Sequence, residues 1–86
     1  MSGKTALITG AVGIGFGIAY RLAEAGVNVM IASYKQPEID DTVSKLTEKG
    51  FQAKGVQADV SLEADVKRVV EETVKTFGQI DILVNN

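Results

Sequence analysis

The chain has 86 residues, 45% of them hydrophobic, and a formal net charge of -2. That length makes at most one small domain, burying only about 60% of its unfolded surface, and the charge balance argues against a nucleic-acid footprint. It has no cysteine and no histidine, so a disulfide framework, the usual zinc and iron ligand sets and His-dependent triads are all excluded.

Short apolar runs alternate with helical periodicity. Thr5–Thr9, "TALIT", reads as a buried strand bounded by Gly10. From Ile14, the residues Ile18, Leu22 and Ala25 share one helix face, with Gly26 placed to stop it. Residues 27–33, "VNVMIAS", form a second, β-branched strand. Pro37 suits the first turn of a second helix, in which Ile39, Val43 and Leu46 repeat until Gly50. Residues 52–58 make a weaker third strand, interrupted by Lys54 and Gly55. Ser61 is placed to cap a third helix with an apolar stripe of Val66, Val69, Val70, Val74 and Phe77, ended by Gly78. Residues 80–85 close the chain as a fourth strand. Four strands joined by three helices through short loops are most simply a parallel sheet with right-handed crossovers. A terminal parallel strand leaves an apolar surface and an open edge, so the chain is expected to be the front part of something longer.

The apolar runs at 27–32 and 80–84, broken by Asn28 and Asp81, are too short to span a bilayer. The start "MSGKTALITG" lacks the features of a signal peptide. A cytoplasmic chain with no membrane or nucleic-acid partner is therefore expected. No residue points to a metal, although a carboxylate-bound Mg²⁺ stays open.

The stretch "TGAVGIGFGIA" (residues 9–19) puts four glycines between the first strand and the first helix. At that turn a helix offers unpaired N–H groups and the positive end of its dipole, which attract a pyrophosphate. Glycine lets the ligand approach the backbone and permits positive φ. A glycine-rich turn alone is equally compatible with a structural role, but here it follows a strand and opens a helix in a βαβ unit. "SGKT" at residues 2–5 resembles the tail of a P-loop, yet the earlier glycine and strand of that motif have no room.

These residues resemble the N-terminal part of a short-chain dehydrogenase/reductase. The resemblance is carried by "TGAVGIG" (9–15), "IAYRLAEAG" (18–26), "ADVS" (58–61) and "FGQIDILVNN" (77–86). It implies an α/β fold: a Rossmann-type doubly wound parallel sheet, partial here, with strand order 3-2-1-4. Residues 1–86 would be the dinucleotide-binding part, truncated after the fourth strand. Gly10, Gly13, Ile14 and Gly15 would line the cofactor pyrophosphate. Asp59 and the Val60 backbone would meet the adenine, and Asn85 and Asn86 the adenosine ribose. The plainer alternatives are that Asp59 is an ordinary turn residue and that the two asparagines merely end a strand.

Two departures stand out. The family turn has three residues between its first two glycines, whereas only Ala11 and Val12 separate Gly10 from Gly13. The expectation is that the recorded sequence omits a residue there. The family's catalytic Ser, Tyr-x-x-x-Lys and Asn also find no match, because Tyr20 is followed four residues on by Glu24 and Tyr34 by Glu38. The expected function is that of an NAD(P)-dependent oxidoreductase reducing carbonyls or oxidising alcohols, homo-oligomeric at full length, with this segment inactive alone. A non-catalytic nucleotide-binding or regulatory module is the alternative; a flavodoxin-like signalling domain would call for acids where the glycines stand.

Cofactor choice falls at the end of the second strand, where an acid would bind the ribose 2′-OH of NAD. The sequence there is Ala32-Ser33-Tyr34-Lys35, with no acid before Glu38. A hydroxyl and an ammonium suit a 2′-phosphate, so NADP is expected over NAD, with Ser33 and Lys35 as contacts and Tyr34 flanking the adenine. The alternative is a solvated Lys35. Lys35→Glu is expected to weaken NADP binding more than NAD binding, and equal losses in paired titrations would count against the assignment.

Overall fold

A computed structural model describes residues 3–9 and 14–85. The expectations at Gly10, Gly13 and Asn86, and the spacing of the turn between the two glycines, lie outside those residues. The elements run β1 (Thr5–Thr9), α1 (Ile14–Glu24), β2 (Asn28–Ser33), α2 (Gln36–Glu48), β3 (Ala53–Gln57), α3 (Glu63–Phe77) and β4 (Ile82–Asn85). The strands form one parallel sheet in the order β3-β2-β1-β4, as expected.

Each helix stops at a glycine in the left-handed region: Gly26, Gly50 and Gly78 have φ of 88°, 84° and 88°. An L side chain is disfavoured there, so these glycines turn the chain back towards the next strand. Pro37 lies in the first turn of α2, where its missing N–H has no helical partner to lose.

β1 is the central strand and pairs on both sides, with Thr5–Thr9 opposite residues 28–32 and Ala6–Thr9 opposite residues 82–85. Alternate side chains of β1 feed two cores. Ala6 and Ile8 pack with Val29, Ile31, Ala19, Ile39 and Leu46 beneath α1 and α2. Leu7 packs with Met30, Ala32 and Val69 beneath α3. Ile8, Ile31, Ile39 and Leu46 are fully buried, each worth about 1.5–3 kcal/mol of apolar burial. At the lower end of the sheet, Asp81 clamps β4 to β1. Its carboxylate accepts the Thr5 N–H at 2.9 Å, and its own N–H donates to Thr5 O at 2.9 Å.

Two local expectations give way. Ser61 does not cap α3: Leu62 holds that position without a side-chain bond, because the Ser61 hydroxyl is turned back to Asp59 at 2.6 Å. The valine stripe of α3 is only partly covered. Val69 is buried with Thr73, while Val66, Val70 and Val74 are exposed, as is Leu83 of β4 at 66%. α3 packs towards β2, and its flank towards β4 is left partly open among the described residues. An apolar groove of about 290 Å³ runs along that flank, lined by Leu7, Val66, Val70 and Leu83 among others.

Gly55 sets how closely α2 approaches β3. A Cβ at that position would fall inside the buried Ile39 side chain and lie 3.2 Å from Val43 Cγ2. Ile39 is β-branched and held in one rotamer by its helix, so it yields little. Gly55→Ala is expected to destabilise the protein by about 1–3 kcal/mol through overpacking. The measure is the urea midpoint at constant slope; an unmoved midpoint would show that α2 shifts freely.

Candidate functional site

Parallel strands that share a register also share a rim. Thr9 lies opposite Ala32 on one side and Asn85 on the other, and Ser33 lies opposite Gln57. The C-terminal ends of all four strands are therefore level. The strand order reverses between β1 and β4, the position at which open α/β sheets bind ligands.

α1 begins at Ile14, so Ile14 and Gly15 occupy its first turn. That turn carries no acidic side chain, whereas α2 begins with Glu38 and α3 with Glu63 and Asp65. The first-turn N–H groups and dipole of α1 thus face no carboxylate of their own turn.

At the end of β2, Ser33 is buried and its Oγ accepts the Lys35 N–H at 3.3 Å. Among the described residues its hydroxyl hydrogen has no acceptor. Tyr34 is 66% exposed, and the Lys35 ammonium lies 5.6 Å from the centre of its ring. Lys35 Nζ is also 3.8 Å from Glu38 Oε1. The first acid after the strand therefore sits against the cation expected to receive a 2′-phosphate. Such an exposed pair is weak, about 0–1 kcal/mol.

At the end of β3, Asp59 forms a tight turn. Its Oδ1 accepts the Ser61 N–H at 3.0 Å and the Ser61 hydroxyl at 2.6 Å. These bonds, the hydroxyl's foremost, hold the Asp59 carboxyl below its ordinary value of 3.8. It is an ionised acceptor at neutral pH. Val60 and Asn85 line the same groove, together with Thr9. The structure thus brings Val60 and Asn85 together, whereas Ser33, Tyr34 and Lys35 form a separate cluster at the β2 end.

Three contributors escaped the sequence reading. Thr9 Oγ1 lies 3.2 Å from Asn85 Oδ1 and 3.4 Å from Val84 O, tying the ends of β1 and β4 together. Gln57 Nε2 donates to Tyr34 O at 3.0 Å. Asp65 Oδ2 accepts the Asp59 N–H at 2.8 Å. Asp65 was open to discovery: it stands three residues into α3 from the cap position, where an acid reaches back to a preceding N–H. Among the described residues no group of acids is placed to hold a metal ion, and no helix is long and apolar enough to cross a membrane.

The family model for short chain dehydrogenase matches residues 4–86. The chain belongs to that family. Its members bind a nicotinamide dinucleotide and small-molecule substrates. Tropinone reductase-like 3 of Erythroxylum coca is 44% identical over 85 residues, covering 98% of this chain and 33% of that protein. Short-chain dehydrogenase/reductase SDRA of Arabidopsis thaliana is 41% identical over 87 residues, covering 100% of this chain and 34% of its own length. The crystal structure of an actinorhodin polyketide ketoreductase variant with NADPH superposes with a TM-score of 0.93 at 36% identity, covering 96% of this chain and 32% of that one. The chain spans about a third of the length of the curated relatives it matches.

Ser61→Ala removes the hydroxyl donor and keeps the backbone one, so the Asp59 pKa is expected to rise towards 3.8. The sign follows from linkage. A depressed carboxyl pKa contributes stability above its unfolded value and loses it as pH falls through the folded value. In the variant the loss should be smaller and be complete at a higher pH, its onset near the unfolded value being unchanged. NMR titration of the Asp59 carboxyl carbon reads this directly, and superimposable curves would contradict it.

Proposed function

We propose that the whole protein is an NAD(P)-dependent oxidoreductase that reduces a carbonyl or oxidises an alcohol, and that residues 1–86 are its cofactor-binding segment. The reading is carried by one observation: the family match over residues 4–86 falls on a sheet whose four strand ends meet level beside an acid-free helix start. The residues present suit the cofactor. Gly10, Gly13, Ile14 and Gly15 would cradle the pyrophosphate, Asp59 and Val60 the adenine, and Asn85 and Asn86 the adenosine ribose. When bound, the nicotinamide gives or takes the hydride. This segment's own contribution is to bind and orient, and to keep an ionised acceptor at Asp59.

NADP is the preferred form in this proposal. Ser33 offers a buried hydroxyl whose hydrogen is unspent among the described residues, and Lys35 an ammonium at the mouth of the same strand. The ketoreductase with NADPH supports the reading by similarity. Glu38 works against it by holding Lys35, so a 2′-phosphate must displace that contact. We also place the protein in the cytoplasm as a homo-oligomer, and read the two-residue spacing between Gly10 and Gly13 as one residue short. The alignment with the Arabidopsis relative runs over 87 positions against the 86 residues of this chain, so at least one of its positions has no counterpart here.

The test is titration of the full-length protein with NADPH and NADH, followed by turnover on simple ketones. Binding with turnover is expected; binding without turnover would favour a regulatory module, and no binding would end the proposal. Glu38→Gln is expected to tighten NADPH by up to about fivefold, the worth of an exposed ion pair, and to leave NADH unchanged. Equal gains for both would remove Lys35 from the phosphate site.

A further inference from the structure

Asp59 is bonded at three of its four polar groups. Its N–H donates to Asp65 Oδ2 at 2.8 Å, its carbonyl accepts the Leu62 N–H at 3.0 Å, and its Oδ1 accepts both Ser61 donors. Only Oδ2 has no partner among the described residues. The bond to Asp65 differs in kind from the rest. The Ser61 and Leu62 bonds stay within the turn, whereas Asp65 stands on α3, a rigid element anchored through the buried Val69.

Asp65 belongs to a chain of contacts along the rim. Its Oδ1 lies 3.8 Å from Arg68 Nη2. That same nitrogen donates to Gln57 O at 2.7 Å, and the Gln57 side chain donates to Tyr34 O at 3.0 Å. The turn carrying Asp59, the end of β3 and the end of β2 are thereby fastened to one helix face. Arg68 also offsets the negative charge that Asp65 brings near Asp59. A turn held only by its own bonds could tilt as a unit; this one is fixed from outside.

We infer that Asp65, supported by Arg68, is the positioning residue for the adenine end of the cofactor site. It fixes Asp59 so that the unengaged Oδ2 is held as an acceptor for an exocyclic amino group. An ionised acceptor so held selects adenine, which presents an amino donor, over hypoxanthine, which presents a carbonyl oxygen there. Asp65 thus determines base specificity without touching the base. This rests on the cofactor reading above, which the same experiment separates.

The full-length protein is titrated with NADPH and NADH and with the hypoxanthine analogue of each. The parent is expected to prefer the adenine forms. Asp65→Ala should weaken the adenine forms by about tenfold, the scale of a bond to a charged acceptor, and the hypoxanthine forms by less than about twofold. Asp65→Asn keeps a side-chain acceptor and should restore most of the preference, which a merely structural role would not do. Asp65→Ser, too short to reach the Asp59 N–H, takes the place of the alanine variant if that fails to fold. Equal losses on both bases, or an unchanged preference in Asp65→Ala, overturn the inference and leave the cofactor reading standing. A parent that binds all forms without preference also overturns it, because Asp59 then reads no amino group. A parent that binds none of the four overturns the cofactor reading as well.

Discussion

The pairing of β1 with a parallel neighbour on each side is the constraint on which the rest depends. Every backbone group of a strand buried in that position must find its partner in β2 or β4, since no water reaches it. With both registers set, the ends of the strands cannot be uneven, and Thr9, Ser33, Asp59 and Asn85 are delivered to one edge. Asp81 fixes the opposite end, so β4 cannot slide along β1 without breaking two hydrogen bonds to Thr5. The site is therefore a result of sheet geometry before any side chain contributes.

Much of that geometry was legible in the chain. Gly26, Gly50 and Gly78 mark the helix ends because few other residues adopt positive φ there, and the alternation of strands and helices leaves few topologies. Where the reading failed, two local signals competed. Ser61 looks like a cap by type and place, but Asp59 two residues earlier takes its hydroxyl, and the helix starts one residue later than that cap would put it. The valines of α3 show the limit of periodicity. A repeat tells which residues share a helix face and not which element covers it, so Val69 is buried while Val66 and Val70 are not.

The site was legible in part for the same reason. Asp59, Asn85, Ser33 and Lys35 could be placed at strand ends from the pattern alone. Their mutual arrangement could not, since Glu38 reaching Lys35 and Asp65 reaching Asp59 are contacts made by helix starts folding back over the rim. Thr9 was passed over because its polar end is invisible in a strand that otherwise reads as apolar core. Residues that hold other residues leave a faint mark on a sequence.

The notch at Gly55 has an evolutionary implication. Because α2 is seated by Ile39 dropping against a bare backbone, the buried contact that sets its height over β3 involves none of residues 34, 35 and 38. A lineage carrying this notch can exchange surface residues at the start of α2 while the seat beneath them stays in place.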